Sequence, residues 1–274
     1  MTTLVQDILR IRHNNSGAQQ RKERAQVFEQ SLLVAPNNCV HELFEAQAER
    51  SPDALALICG DKEFTYRELN TRANQLARFL RRFDVGPNSL IGLCVERSAE
   101  MIVGILGILK AGAAYVPMDP NYSRADLSFL MRNANVYVLL TQESLAHTIP
   151  RHDGPRVSLD VNWTVIAKER KTNPPRRATL RNLAYVIYSP THQRIVRISH
   201  RGLLNYLSWG AEAYEVAKGF GSTIDSSIPF DLAITRVLSP LMVGRSVLLP
   251  SDRAGNSFND SHSEFALDNY SVAF

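Results

Sequence analysis

Between the apolar run LAYVIY (Leu183–Tyr188) and the helix opening at Ser199–His200 stands the segment SPTHQRIVR. It gathers hydroxyl, imidazole and guanidinium groups, the residue types that hold anions. A strand-to-helix junction that grips a nucleotide's phosphates uses closely spaced backbone N–H groups. Glycine lets them approach without side chains in the way. No glycine occurs between Gly154 and Gly202, and Pro190 removes a backbone donor where donors are needed. The segment therefore reads as a turn that no longer grips phosphate.

The seven histidines form no Ser-His-Asp or Cys-His grouping and no metal-ligand spacing. His200 follows Ser199, a good N-cap, and His41 lies near the start of an earlier helix, so both read as structural. Asp231, in PFDLAIT, sits where a helix opens, and by itself is an N-cap or first-turn carboxylate. Cys39, Cys59 and Cys94 are odd in number, never in C-x-x-C spacing, and each lies in an apolar, periodic context. Buried free thiols without a disulfide or metal are expected, which fits a reducing cytoplasm.

The elements that must position these groups alternate between two periodicities. In NNCVHELFEAQAERSP, Val40, Leu43, Phe44 and Gln47–Ala48 recur at helical spacing, with Asn38 as the expected N-cap and Pro52 as the stop. ALALICG and KEFTY read as two strands around a Gly-Asp turn. Thr65 with Glu68 predicts a capping box, followed by a helix whose face carries Leu69, Ala73, Leu76, Ala77, Leu80 and Phe83. LIGLCVE, AAYVPMD, VYVLLT, LAYVIY and SVLLP read as wholly apolar strands, separated by helices such as AEMIVGILGILKAG, which Gly112 caps. Apolar strands alternating with helices imply an α/β fold with parallel sheets flanked by helices.

Composition narrows the class. Hydrophobic residues make up 45% and charged residues 21% of the 274, as in ordinary globular proteins. The net charge of +4 invites a nucleic-acid reading, but the only basic cluster, KERKTNPPRRATLR (Lys168–Arg181), is broken by two prolines and has no interleaved aromatics. It reads as a solvated connection, and no nucleic-acid partner is expected. No apolar run approaches the roughly 20 residues of a membrane span, and the N-terminus shows no signal-peptide pattern. Residues 1–35 read as a leader or linker, 36–250 as one domain, and 251–274 as an aperiodic tail.

Four stretches carry a resemblance: VHELFEAQAERSPDALAL, FTYRELN, LKAGAAYVPMDP (Leu109–Pro120) and SSIPFDLAITRVLSPLMVGRSVLLP. They resemble the front half of adenylation domains of nonribosomal peptide synthetases, a branch of the acyl-adenylate-forming (AMP-binding) enzymes, from about Cys39 to Pro250. The resemblance implies an incomplete N-terminal core of an adenylate-forming enzyme. The parent reaction joins ATP and an amino acid into aminoacyl-AMP and pyrophosphate, with Mg2+, before transfer to a carrier-protein thiol. It places Asp231 against the α-ammonium of the amino acid, with Leu232 and Thr235 reading its side chain.

In that family the phosphate loop reads approximately YTSGSTGKPKG before a V-x-I-S-H stretch. Here Tyr188 and ISH (Ile198–His200) flank a shorter segment without the glycines or lysines. Ser189 and Thr191 then stand as remnants of the hydroxyls, and Arg194 or Arg197 as substitutes for the lysines. No residue is assigned a catalytic or metal-binding role, since nothing after Pro250 resembles the later motifs. The expectation is a truncated adenylation domain, inactive alone. The alternatives are a pseudoenzyme docking module for synthetase proteins and a ligase half completed by another polypeptide.

Overall fold

The computed structural model describes residues 38–189, 194–224 and 233–250. α1 (Val40–Arg50) leads into the antiparallel strands β1 (Leu55–Cys59) and β2 (Lys62–Thr65), then α2 (Tyr66–Leu80). β3 (Leu90–Leu93), α3 (Ala99–Ala111), β4 (Ala114–Pro117), α4 (Arg124–Asn133) and β5 (Val138–Thr141) follow. After β6 (Arg156–Ser158) and the single turn α5 (Trp163–Ile166) come a hairpin, β7 (Leu183–Ser189) and β8 (Arg194–Ser199), and α6 (His200–Ala213). The last described elements are β9 (Gly221–Thr223), α7 (Ala233–Met242) and β10 (Ser246–Leu249).

The strands form two sheets. One is ordered β6-β5-β3-β4-β7-β8 and is parallel except for the β7–β8 hairpin. The other is ordered β2-β1-β10-β9 and is parallel except for β1–β2. The larger sheet is buried on both faces, as its continuously apolar strands require. Ile91, Leu93, Tyr115, Val138 and Leu140 pack on the side of α2 and α3, whereas Leu90, Ala114, Val116, Leu139 and Val186 meet Leu127, Leu130 and Met131 of α4.

α2 is specified as its sequence suggests. The Glu68 N–H donates to Thr65 Oγ1 at 3.2 Å and the Thr65 N–H to Glu68 Oε2 at 2.8 Å, closing the capping box. α3 needs its two internal glycines for contact. A Cβ on Gly104 would stand 2.7 Å from Leu93 of β3, and one on Gly107 2.7 Å from Leu76 of α2. The glycines therefore let α3 press against both neighbours. Gly112, with φ +92°, ends α3 as expected.

Two details depart from the sequence reading. The N-cap of α1 is Cys39 rather than Asn38, because the Cys39 N–H reaches back to Glu42 Oε2. The basic connection is not simply solvated. Its backbone carbonyls are held by Asn74 (to Lys171, 2.7 Å) and Arg78 (to Thr172, 3.0 Å) of α2 and by Arg81 just past it (to Pro175, 2.7 Å), and Gln75 holds Ala167 at its entry (2.6 Å). Side-chain donors here satisfy the acceptors of an irregular backbone. The strap is fixed at Asn173, whose Oδ1 accepts from Asn70 at 3.0 Å, Asn74 at 2.9 Å and Lys110 at 3.3 Å.

Lys110 is the one fully enclosed lysine among the described residues. Its ammonium pairs with Glu45 of α1 and lies 5.9 Å from the centre of the Phe44 ring. Burial pushes the Lys110 pKa down to about 8 against the pull of Glu45, and burial also raises that of Glu45 against the pull of Lys110.

Candidate functional site

The segment expected to run from strand through loop to helix is mostly strand. RIVRIS forms β8, antiparallel to β7, in register Ser189↔Arg194 and Val186↔Arg197. Its strand propensity is legible in the sequence, since Ile195, Val196 and Ile198 are β-branched. Ile195 packs with the α4-side core and Ile198 with the α2/α3-side core. Arg194 and Arg197 therefore leave opposite faces of the strand, and both are exposed. Ser189 ends β7, while Thr191 and Pro190 lie outside the described residues.

This arrangement decides what the described residues offer a nucleotide. A phosphate cradle needs unengaged N–H groups and cations converging on one point. β7 is paired on both sides and β8, the edge strand, shares alternate N–H groups with it, while the two arginines diverge. The described residues do not fit a triphosphate. Among them, no group of three or more His, Cys, Asp or Glu side chains is placed to hold a metal ion.

Of the residues that the resemblance places against an amino acid, Asp231 and Leu232 lie outside the described residues. Thr235 is half-buried on α7, whose Ile234, Val237, Leu238 and Leu241 enter the core. The helix is fastened to β9, because Ser222 Oγ donates to the Arg236 carbonyl and the Arg236 guanidinium donates to that of Thr223 at 3.3 Å. Thr235 is thus carried on a fixed element.

Ser199 caps α6 as expected, accepting the Gly202 N–H at 3.2 Å. His200 and His41 are both buried, with ring centres 5.6 Å apart and the planes steeply inclined. His41 Nδ1 and both ring nitrogens of His200 have no hydrogen-bond partner. Burial, with the nearby Arg176 guanidinium, pushes the His200 pKa down to about 4. Burial and then His200 lower that of His41 as well. The pair is neutral at pH 7 and packs as two flat rings, joining the starts of α1 and α6. The cysteines are free thiols, and burial raises the pKa of each. No described helix is long and apolar enough to cross a membrane.

Comparison with known proteins matches this architecture. The chain is 42% identical over 214 residues to a component of the linear gramicidin synthase of Brevibacillus parabrevis, covering 77% of this chain and 4% of that protein. It is 38% identical over 236 residues to tyrocidine synthase 3 of the same organism, covering 82% of this chain and again 4% of that protein. The chain thus spans a small fraction of the length of these relatives. A crystal structure of the nonribosomal peptide synthetase FmoA3 superposes with a TM-score of 0.73 at 27% identity, over 84% of this chain and 25% of that one. That synthetase is also solved in AMPPNP-bound and α-methyl-L-serine-AMP-bound forms. The N-terminal subdomain of NpsA from Klebsiella oxytoca shares the fold, with a TM-score of 0.67 at 20% identity over 79% of this chain and 56% of that one.

The described fold is therefore that of an adenylating enzyme's N-terminal subdomain, with parallel sheets flanked by helices. Residues 44–262 match the AMP-binding enzyme family, and the chain belongs to it.

Proposed function

We propose that this chain is the amino-acid-recognising part of an adenylation domain of nonribosomal-peptide-synthetase type, over residues 36–250, and that alone it does not catalyse the parent reaction. That reaction joins ATP and an amino acid into aminoacyl-AMP and pyrophosphate. The family match, the likeness to gramicidin synthase and the likeness to a synthetase solved with AMPPNP and with an aminoacyl-AMP support the first half.

In this reading Asp231 faces the α-ammonium of the substrate, since carboxylate and ammonium each compensate the other's lost hydration. Leu232 and Thr235 contact its side chain. A carrier-protein domain is the partner that accepts the acyl group, and the free cysteines favour a reducing cytoplasm.

The observation that carries the second half is the β7–β8 hairpin. The sequence keeps Ser189 and Thr191 but lacks the glycines, and Arg194 and Arg197 diverge on β8. In-line displacement at a phosphate depends on charges converging on the transferring group. The test is amino-acid-dependent ATP–pyrophosphate exchange by the purified chain, with AMPPNP binding measured by calorimetry. The expected result is neither exchange nor saturable nucleotide binding. Exchange above the blank overturns the claim of inactivity. A folded chain that lacks both but captures a synthetase protein shifts the reading to a docking module.

A further inference from the structure

A pocket of about 200 Å³ opens between α2, α3 and the segment after β6, lined by Arg72, Glu100, Val103, Leu159, Asp160 and Trp163. From its geometry we propose a second amino-acid site, lined by none of Asp231, Leu232 and Thr235, that takes a small apolar α-amino acid as its zwitterion.

Arg72 is fixed before any ligand arrives. Its guanidinium carbon lies 5.0 Å from the centre of the Phe64 ring and 5.1 Å from that of Trp163. Among the described residues neither Arg72 nor Glu100 makes an ion pair within 4.0 Å, although the two line one cavity. Glu68, one turn earlier on α2, is engaged by Thr65. Asp160 is held in place by the N–H groups of Glu143 at 3.0 Å and Val161 at 2.8 Å.

Opposite charges that share a pocket without touching are bridged by a molecule carrying both signs. A carboxylate takes the planar Arg72 fork, and an ammonium takes Glu100 with Asp160 behind it. The buried side chains of Val103 and Leu159, with the Trp163 ring, offer the apolar floor. Two carboxylates in the lining disfavour a phosphate dianion. The volume falls below the roughly 300–1,000 Å³ of sites for drug-sized ligands, so a nucleotide is too large. Binding here requires no nucleotide and none of the chemistry proposed for the chain.

The experiment uses the full chain carrying Asp231→Ala, which removes the carboxylate proposed for the other pocket, and titrates L-leucine by calorimetry. Binding should persist in this variant and weaken about tenfold or more when Glu100→Gln or Arg72→Gln is added, as loss of a hydrogen bond to a charged group implies. Isopentylamine and 4-methylpentanoate, which each keep one of leucine's two charges, should bind as weakly. Circular dichroism checks the fold of each variant. Glu100→Gln alone decides the matter if Arg72→Gln disturbs the aromatic stack. No saturable leucine binding by the Asp231→Ala chain, binding unmoved by Glu100→Gln, or equal binding of either analogue overturns the proposal.

Discussion

Two groups of buried ionisable side chains touch the same helix, α1, and the fold treats them oppositely. At the end of α3, Lys110 is enclosed but given a counter-charge, Glu45, and an acceptor, Asn173. At the start of α6, His200 is enclosed just as fully, yet its ring packs against another imidazole and keeps both nitrogens unpartnered. An isolated lysine ionises with a pKa near 10.4 and a histidine near 6.5. At neutral pH a buried lysine must therefore be paired or lose its proton at high cost, whereas imidazole is already neutral and asks only for space. Burial settles the partner in one case and the protonation state in the other.

The sharpest way to break this contrast is Glu45→Ala. It leaves the Lys110 ammonium enclosed without its carboxylate and should cost about 3 kcal/mol, read as a lowered urea midpoint at pH 7. Replacing both partners, Glu45→Leu with Lys110→Met, should recover most of that loss. A loss below about 1 kcal/mol for Glu45→Ala would mean that Asn173 and Phe44 hold the charge without help.

The histidine pair answers to acid instead. The folded-state pKa of His200, about 4, lies below its unfolded value of 6.5, so the unfolded chain takes up protons first as the pH falls. The stability that His200 contributes is complete above pH 6.5 and is lost progressively toward pH 4. At pH 5 the loss is about 2 kcal/mol, deepened by His41, whose pKa is also lowered. A protonated ring here would face the cations Arg176, Lys110 and Arg81. Urea midpoints of the parent and of His200→Phe, compared at pH 7 and pH 5, isolate this term. The variant should lose less on acidification, and parallel losses would refute the assignment.

The smallest effect is expected where charge is neither enclosed nor partnered in the core. Arg194→Ala and Arg197→Ala should each move stability by no more than about 0.5 kcal/mol in thermal melts.

Much of this molecule could be read before its fold was seen. The Thr65–Glu68 capping box, the Gly112 cap, the Ser199 cap and the alternation of apolar strands with helices all rest on local chemistry that a short window contains. What escaped depended on distant partners. Asn74 and Gln75 are polar residues on a buried stretch of α2, and only the strap that crosses about a hundred residues later in the chain explains them. Likewise, nothing local to Lys110 announces Glu45. RIVRIS shows the opposite failure. Its strand pattern is plain, but its place before a helix made the whole segment look like a loop. The amino-acid-reading role proposed for Asp231, Leu232 and Thr235 comes from resemblance alone, because the local sequence around Asp231 offers a sufficient reading as an N-cap or first-turn carboxylate.

The smaller sheet also governs the order of assembly. Ser246 Oγ donates to the Leu55 carbonyl at 2.7 Å across 191 residues, and the Tyr66 hydroxyl donates to the carbonyls of Leu241 and Arg245 at 3.1 and 2.9 Å. The strands of the larger sheet, β3 to β8, all lie between these two ends of the sequence. On a ribosome, β1 and β2 emerge before the larger sheet and must wait for β10, with Leu57 and Phe64 short of part of their final packing. The larger sheet can nucleate in that interval from nearer neighbours. Closure of β1 against β10 then becomes a late event, carrying the entropy of a very long loop.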